Sequence, residues 1–326
     1  MFHKFDKILL IFYFYPMKNF KFIDLFAGLG GFRLALEQLG GECVFSSEIN
    51  SHACNIYEAN FNHNPFCDIT KLDPKNIPDF DVLCAGFPCQ AFSIAGKKLG
   101  FEDTRGTLFF DVCRIIKEKQ PSIVLLENVK NLTQHDNGKT FSTIISSLEN
   151  LNYSVSFQLL NAKDFGVPQH RERIIIVAVN KSFSTKLFDF SSIDLFSSNL
   201  NNILENDHHI LNKDEYTLLD ESLVKKQKSG LIFCGYRNKN IRKVGVKDNS
   251  LHLSRTHKQP NRIYHINGNN PTLSSQESSG RYFIYDGKNV FQLTLLECFR
   301  LMGFPDSYIK IGSKSNLYNK IGRAHV

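Results

Sequence analysis

The sequence predicts an α/β protein: a mostly parallel sheet with helices on both faces, joined to a smaller, strand-rich domain. Three observations lead to this prediction. Short apolar strands alternate with helical stretches between residues 20 and 180, a pattern typical of crossover connections. An apolar strand also runs directly into a glycine-rich turn at residues 28–31. Polar, glycine-containing, strand-like segments dominate from residue 203 to residue 290, which indicates a second domain.

The predicted elements alternate along the chain in the order that crossover connections require. Each predicted strand is a short, mainly apolar run, and each predicted helix is a longer amphipathic stretch. The predicted strands are Phe22–Phe26, Glu42–Ser46, Val82–Ala85, Ile123–Glu127, Val155–Leu160 and Ile174–Val179. The predicted helices are Phe32–Leu39, Ala53–Asn60, Leu108–Lys119 and Phe141–Asn150, and helical character resumes at Leu293–Met302. A Ser-, Asn- and Phe-rich stretch at residues 182–202 indicates a domain boundary.

The basic residues of this 326-residue chain, whose formal net charge is +7, are unevenly placed. Between Lys225 and Arg262 there are eleven basic residues against one acid, Asp248, which gives this segment a formal charge of +10. A near-neutral body with one cationic segment indicates a polyanionic partner at a defined place; a solvated lysine-rich face is the alternative. No stretch reaches the roughly 18 apolar residues of a membrane helix, so no membrane association is predicted.

The first predicted strand runs into the turn Ala27-Gly28-Leu29-Gly30-Gly31. Glycines at such a turn let the backbone approach a nucleotide. Arg33 stands where a dinucleotide motif has its third glycine, and a purely structural turn explains this motif alone equally well. Glu48 follows the second predicted strand, the position from which an acid binds ribose hydroxyls. Together these features predict an adenosine-containing cofactor, with S-adenosylmethionine favoured over NAD.

One of the eight cysteines stands apart by its position. The set contains neither a C-x-x-C pair nor a zinc-binding spacing, so we expect free thiols and no metal. Cys89 follows Pro88 just after the predicted strand Val82–Ala85, at the sheet edge where parallel folds place chemistry. We therefore take Cys89 as the candidate nucleophile; a loop thiol without a role is the alternative.

Acidic and basic residues follow the later strands. Glu127 ends a predicted strand at the same sheet edge, where it would meet Cys89 across a pocket. A thiol with a carboxyl group is suited to attack a ring and to stabilise the ring nitrogen. Arg171 and Arg173 lie two residues apart before the last strand, so we expect them on one face of a strand. Guanidinium groups suit phosphate or carbonyl oxygens.

Four motifs in this order resemble one enzyme family. They are DLFAGLGG at 24–31, GFPCQAFS at 86–93, ENV at 127–129 and QHRER at 169–173. From about Phe20 to Gly322 the chain resembles the cytosine-specific C5 DNA methyltransferases of bacterial restriction–modification systems. The resemblance implies a Rossmann-like, S-adenosylmethionine-dependent domain and a target-recognition domain. The implied boundaries are 17–190 for the catalytic and cofactor-binding domain, 191–290 for target recognition and 291–326 for a return to the catalytic domain.

The resemblance also implies three groups of site residues. Cys89 would attack C6 of a cytosine, Glu127 would bind the N3 edge and keep it protonated, and Arg173 would hold the O2 side with Arg171 nearby. The residues implied to bind the cofactor are Phe26, Gly28, Gly30, Glu48, Ile49, Asp68, Ile69, Gly86, Pro88 and Leu108. Those implied to contact DNA are Gln90, Ser93, Arg262, Thr272 and Leu273.

The reaction that the resemblance implies moves a methyl group from S-adenosylmethionine to C5 of a cytosine in a specific duplex DNA sequence, leaving S-adenosylhomocysteine. A covalent Cys89–C6 intermediate is implied, and the base must leave the stacked duplex. We expect a monomeric, cytoplasmic bacterial enzyme without metal that modifies double-stranded DNA. A cognate restriction endonuclease in the same system is expected as well.

Two alternatives stay open at this point. A tRNA cytosine-C5 methyltransferase would use the same scaffold, although the long basic recognition region argues against it. A truncated, inactive DNA-binding remnant is the other alternative, and the intact glycine turn, Cys89 and Glu127 count against it.

Both ends of the chain depart from the family pattern. Residues 1–16 contain an apolar run without a cleavage site, and Met17 comes shortly before the first strand. We therefore expect Met17 to be the native start and residues 1–16 to be a non-native extension. After Gly322 the sequence Arg323-Ala324-His325-Val326 replaces the family's Gly-Asn-Ser-Val or Gly-Asn-Ala-Val segment. Neither a capping pattern nor a closing amphipathic helix is predicted, and we expect a truncated chain with weakened cofactor binding.

Overall fold

The computed structural model describes residues 19–88, 108–239 and 256–324. Within these ranges the chain forms two compact units. The first unit comprises residues 19–88, 108–160 and 172–194, and the second unit comprises residues 161–171, 195–239 and 256–324. Among the helices in this part of the chain, none is long and apolar enough to cross a membrane.

The first unit is built on a six-stranded sheet. Its strands are β1 Lys21–Leu25, β2 Glu42–Ser47, β3 Val82–Ala85, β4 Ile123–Val129, β5 Tyr153–Asn161 and β7 Glu172–Asn180, in the order β2-β1-β3-β4-β7-β5. Strands β1 to β4 pair in parallel, and β7 runs antiparallel to β4. All six strands were predicted to within two residues at each end, and the predicted mostly parallel sheet is confirmed.

Helices cover both faces of this sheet because successive strand residues point to opposite sides. They are α1 Gly31–Glu37, α2 Ser51–Phe61, α3 Leu108–Lys119 and α4 Lys139–Asn150. In β3 and β4, Leu83 and Val124 join one buried cluster that includes Val112 of α3. Their neighbours Val82 and Ile123 join a second cluster with Leu36 of α1. Burial of both faces explains why the strands of this sheet are almost continuously apolar.

The second unit contains a smaller six-stranded sheet, as predicted for a strand-rich domain. Its strands are β8 His209–Ile210, β9 Tyr216–Leu218, β10 Phe233–Arg237, β11 Arg262–His265, β13 Phe283–Tyr285 and β14 Val290–Gln292, in the order β8-β14-β13-β11-β10-β9. The pairs are antiparallel except β11–β13. A separate two-stranded sheet pairs β6 Gln169–His170 with β12 Asn270–Pro271.

The packing of residues 291–324 differs from the predicted domain boundaries. These residues belong to the second unit, and the first unit ends at residue 194 rather than at 190. Helix α5 Leu295–Arg300 begins with a capping box in which Thr294 and Glu297 exchange hydrogen bonds. Buried Glu297 also accepts the Glu205 N–H at 2.7 Å and contacts His208 at 2.6 Å. These contacts connect α5 to residues 205–208 of the second unit.

A further helix, α6 Lys314–Ile321, contradicts the expectation that no capped helix follows α5. The Ser313 hydroxyl accepts the Asn316 N–H at 3.3 Å, and the side chains of Leu317, Tyr318 and Ile321 are buried. The helix was missed because it has only eight residues, and its apolar positions form too short a periodic run to stand out from the polar residues around them.

Candidate active site

The residues expected to form the site follow four parallel strands at one edge of the first unit's sheet. Phe26 follows β1, Glu48 follows β2, Gly86 follows β3 and Glu127 lies near the end of β4. Parallel strands bring their carboxyl ends to the same edge, where open α/β sheets bind ligands. The structure therefore places these four predicted residues at one edge.

The glycine turn between β1 and α1 has the backbone shape that its sequence requires. Gly28 and Gly30 have φ angles of +55° and +76°, in the left-handed region, and Phe26 has a φ of +58°. A Cβ atom on Gly30 would lie 2.4 Å from the Phe61 ring, so only glycine packs there. A Cβ atom on Gly28 would meet nothing closer than 3.9 Å, which leaves room for a ligand to approach the backbone.

Glu48 is fixed by the backbone of this turn. Its Oε2 atom accepts the Gly28 N–H at 3.0 Å, and its Oε1 atom accepts the Asn50 N–H at 2.7 Å. Each carboxylate oxygen has a second lone-pair direction, so two backbone bonds leave acceptor capacity for ligand hydroxyls. A pre-oriented carboxylate beside an open glycine backbone fits a ribose, and these residues therefore fit an adenosine cofactor.

The other residues expected to bind the cofactor differ in accessibility. Ile49 is 64% exposed. The Asp68 Oδ1 atom accepts the Thr70 hydroxyl and N–H, and these hydrogen bonds lower the pKa of Asp68. Leu108 begins α3 and is partly buried against the core. The Ile69 side chain is buried in that core, so its exposed neighbours are better placed for a ligand.

Glu127 and Arg173 form a largely buried ion pair across β4 and β7. The Arg173 Nε atom lies 2.7 Å from the Glu127 Oε1 atom. Burial lowers the pKa of Arg173, and the neighbouring Glu127 carboxylate opposes that effect. The antiparallel pairing opposes Glu127 to Ile175 and Val129 to Arg173. The sequence indicated both residues separately, and the structure brings their side chains together.

Asn128, the residue after Glu127, fixes the backbone that leads to Cys89. Its Nδ2 atom donates to the Phe87 carbonyl at 2.7 Å, and both residues are buried. The Phe87 ring also packs on Phe109, with ring centroids 5.4 Å apart. Asn128 has no role predicted from the sequence, and its place in the ENV motif is the signal that could have identified it. Gly86 and Pro88, also expected near the cofactor, flank Phe87; Gly86 is half-buried and Pro88 is exposed.

Cys89, Gln90 and Ser93 lie outside the described residues. The seven other cysteines are free thiols, and burial raises the pKa of each. The pKa is raised to about 11 for Cys54 and to about 12 for Cys43, Cys113 and Cys234. None of these seven therefore has the thiolate character of a nucleophile at neutral pH.

A thiol-labelling experiment follows from these values. At pH 7.5 iodoacetamide is expected to modify Cys89 first, because burial raises the pKa of each of the other seven thiols and so disfavours their reactive thiolate forms. Peptide mass spectrometry after brief labelling would measure the site. Equal labelling of Cys89→Ser and unaltered protein would contradict the prediction, and Cys43→Ser serves as the matched control.

The structure corrects the prediction that Arg171 and Arg173 share one face of a strand. Arg171 lies between β6 and β7, so the strand is interrupted there. It belongs to the second unit, where its buried Nη2 atom donates to the Ala324 carbonyl at 2.7 Å. The Glu172 Oε2 atom accepts from Lys130 Nζ at 3.0 Å in the first unit. Arg173 contacts Glu127 in the first unit.

The three described residues expected to contact DNA lie in the second unit. The Arg262 Nε atom donates to the His257 carbonyl at 2.9 Å, and the Thr272 hydroxyl donates to the His170 carbonyl at 2.6 Å. The Leu273 side chain is fully buried, and its expected contact with DNA stays a prediction. Gln169, which the sequence did not single out, accepts the Leu273 N–H at 3.1 Å and donates to the Leu301 carbonyl.

In the described residues, no cluster of three or more His, Cys, Asp or Glu side chains could hold a metal ion. A sheet edge with a glycine turn and an oriented carboxylate is typical of α/β enzymes that bind a nucleoside cofactor.

The chain belongs to the C-5 cytosine-specific DNA methylase family, whose sequence model matches residues 20–326. It is 41% identical over 315 residues to the type II methyltransferase M.HhaI of Haemophilus parahaemolyticus, covering 95% of this chain and 91% of that protein. It is 44% identical over 298 residues to the type II methyltransferase M.HaeII of Haemophilus aegyptius, covering 90% and 84%.

Solved structures show the same fold at lower sequence identity. A mutant of DNMT2 from Spodoptera frugiperda superposes with a TM-score of 0.66 at 20% identity, covering 94% of this chain and 96% of that one. Dnmt2 of S. pombe gives a TM-score of 0.62 at 18% identity, covering 94% of each chain. These likenesses support the Rossmann-like methyltransferase fold that the sequence predicted.

Proposed function

We propose that this C5 cytosine methyltransferase modifies one cytosine within a specific duplex DNA sequence as part of a restriction–modification system. The observation that supports this most directly is the Glu127–Arg173 pair at 2.7 Å, beside the backbone that leads to Cys89. The type II relatives support DNA over tRNA as the substrate. We further propose that the enzyme works as a monomer on cytoplasmic DNA, alongside an endonuclease with the same target sequence.

In this proposal Glu48 and the glycine turn hold the cofactor through its ribose. S-adenosylmethionine, when bound, supplies an electrophilic methyl group on a sulfonium. The Cys89 thiolate adds to C6 of the flipped-out cytosine, and the electron pair of the C5–C6 double bond becomes available at C5. Glu127 holds the N3 edge in its protonated form, and Arg173 orients Glu127 and the O2 side. After methylation, loss of the C5 proton re-forms the double bond and expels the Cys89 thiolate.

Bisulfite sequencing of DNA from cells that express the chain would test this function. Protected cytosines confined to one sequence context are expected, and the same experiment would identify the recognition sequence. Unprotected DNA together with methylated tRNA would overturn the proposal. Cells expressing Cys89→Ser provide the matched control.

DNA binding is expected to depend steeply on salt. In the described part of the basic segment, residues 225–239 and 256–262, five lysines are exposed, whereas Arg237 pairs with Glu215 at 2.8 Å. The exposed lysines are Lys225, Lys226, Lys228, Lys239 and Lys258. If all five contact phosphate, log K against log salt concentration should have a slope of roughly −4 to −5. Fluorescence anisotropy with labelled duplex would measure it.

A matched pair of triple variants makes this prediction specific. Neutralising Lys225, Lys226 and Lys228 to glutamine should reduce the slope by about 2 to 3. The same change at the exposed Lys75, Lys117 and Lys139 of the first unit should leave it unchanged. Equal slopes for both triple variants would refute the role of the basic segment.

Replacing Asn128 with alanine is expected to lower the free energy of unfolding by about 1–3 kcal/mol, because the buried Phe87 carbonyl loses its hydrogen-bond partner. Activity should fall further than stability alone explains, since the backbone before Cys89 loses an anchor. Urea denaturation and kcat would measure the two effects. The exposed Asn202, which donates to Ser198 at 3.0 Å, offers a control, and Asn202→Ala should change neither.

A further inference from the structure

Phe66 has a large apolar side chain, yet most of that side chain is exposed to solvent. Its side chain is 66% exposed, and Ile49 is 64% exposed. Most large apolar side chains in the first unit are buried in its core. Isolated exposed apolar residues are common, but these two flank a single residue, Glu48. Ile49 follows Glu48 in sequence, and Phe66 pairs with Glu48 in a parallel β-bridge.

The exposure of Phe66 does not come from a loose backbone. The Glu48 N–H donates to the Pro65 carbonyl at 2.9 Å, and the Cys67 N–H donates to the Glu48 carbonyl at 3.1 Å. The Phe66 N–H itself donates to the Asn64 Oδ1 atom at 2.9 Å. These bonds hold the Phe66 backbone beside Glu48.

The chemistry around Phe66 indicates what covers its ring. Bridged residues in neighbouring strands carry their side chains on the same face of a sheet, so Phe66 lies beside the Glu48 side chain. The Glu48 carboxylate is already oriented by the Gly28 and Asn50 N–H groups. A ligand with hydroxyls for the carboxylate and a flat apolar face for the ring satisfies both groups, and a nucleoside has these two parts.

We propose that Phe66 is a binding residue for the adenine base of the S-adenosyl cofactor, and that its ring and Ile49 provide the apolar contact. This inference rests on the proposed function. Base–aromatic stacking is strong enough that loss of the ring should weaken binding about 10- to 100-fold. Phe66 lies outside the four motifs that identify the family.

Calorimetric titration with S-adenosylhomocysteine tests the proposal without requiring turnover. Phe66→Ala is expected to bind about 10- to 100-fold more weakly than the unaltered chain, and Phe66→Tyr, which keeps the ring, is expected to bind within about 3-fold. Leu187→Ala removes another apolar side chain of the first unit, 61% exposed, and should leave affinity unchanged. Equal affinities of Phe66→Ala and the unaltered chain would overturn the proposal, as would equal losses for Phe66→Ala and Leu187→Ala.

A fluorescence measurement gives an independent readout, because the chain contains no tryptophan. Phe66→Trp introduces a single reporter, whose emission should change as S-adenosylhomocysteine saturates the protein. Leu187→Trp should show no change. A silent Phe66→Trp reporter in a protein that binds S-adenosylhomocysteine would refute the contact and leave the proposed function standing. Failure of the unaltered chain to bind S-adenosylhomocysteine would instead refute the proposed cofactor itself.

Discussion

Replacing Cys89 with serine is expected to abolish methyl transfer to DNA while leaving cofactor binding intact. A serine hydroxyl is far less acidic than a thiol, so almost no anion exists to attack C6 at neutral pH. Activity below about one ten-thousandth of the unaltered enzyme is expected for loss of a nucleophile. Transfer of a labelled methyl group to duplex DNA would measure it, with S-adenosylhomocysteine titration as the binding readout.

A second substrate separates loss of the nucleophile from loss of folding. Release of the enzyme requires loss of the C5 proton, and a fluorine at C5 cannot leave in that way. Duplex DNA with 5-fluorocytosine at the target should therefore trap the unaltered chain as a covalent adduct. Cys43→Ser, a change at a half-buried thiol, should still form this adduct. Methyl transfer by Cys89→Ser at even a few per cent of the normal rate would exclude Cys89 as the nucleophile.

Glu127→Gln is expected to lower kcat by about 10²- to 10⁴-fold, the usual contribution of a positioned acid–base group. Glutamine keeps the shape of the side chain but neither exchanges the N3 proton nor balances the Arg173 charge 2.7 Å away. Because Arg173 is also largely buried, we expect the free energy of unfolding to fall by about 1–3 kcal/mol as well. Single-turnover kinetics and urea denaturation would measure these two effects.

The rate of adduct formation distinguishes a catalytic role of Glu127 from a structural one. With 5-fluorocytosine DNA, Glu127→Gln should form the covalent adduct slowly even when fully folded, because N3 protonation assists attack at C6. Glu118→Gln, at an exposed position of α3, should match the unaltered chain in rate and stability. Adduct formation by Glu127→Gln at the normal rate would show that the carboxyl does not assist this step.

The sequence was sufficient to predict the first unit's sheet because the physical signals there are local and strong. Strands such as Val82–Ala85 and Ile123–Val129 are buried on both faces, and this leaves continuous apolar runs that polar loops interrupt. The edge position of Glu48 and Glu127 follows from the same runs. Helix α6 was missed because its eight residues carry a cap but too few apolar positions to define a period.

Side-chain partnerships across the fold could not be predicted in this way. Glu127 and Arg173 are 46 positions apart, and their contact depends on the antiparallel register of β4 and β7. The Asn128–Phe87 bond spans 41 positions. The hydrogen bond from the Leu273 N–H to the Gln169 Oε1 atom spans 104 positions. Hydrophobic periodicity predicts which face of a helix or strand is buried. These contacts depend instead on which helices and strands pack next to each other.

The contacts at the end of β4 make this strand sensitive to the insertion or deletion of a single residue. Glu127 reaches Arg173 on the neighbouring strand, and Asn128, the next residue, reaches the Phe87 carbonyl after β3. Because strand residues alternate between faces, an insertion or deletion of one codon within β4 would exchange the directions of these two side chains. Both contacts would then be lost together, whereas surface connections tolerate such changes. Insertions or deletions of one codon within β4 should therefore be absent from any library of variants selected for methylation of the target sequence.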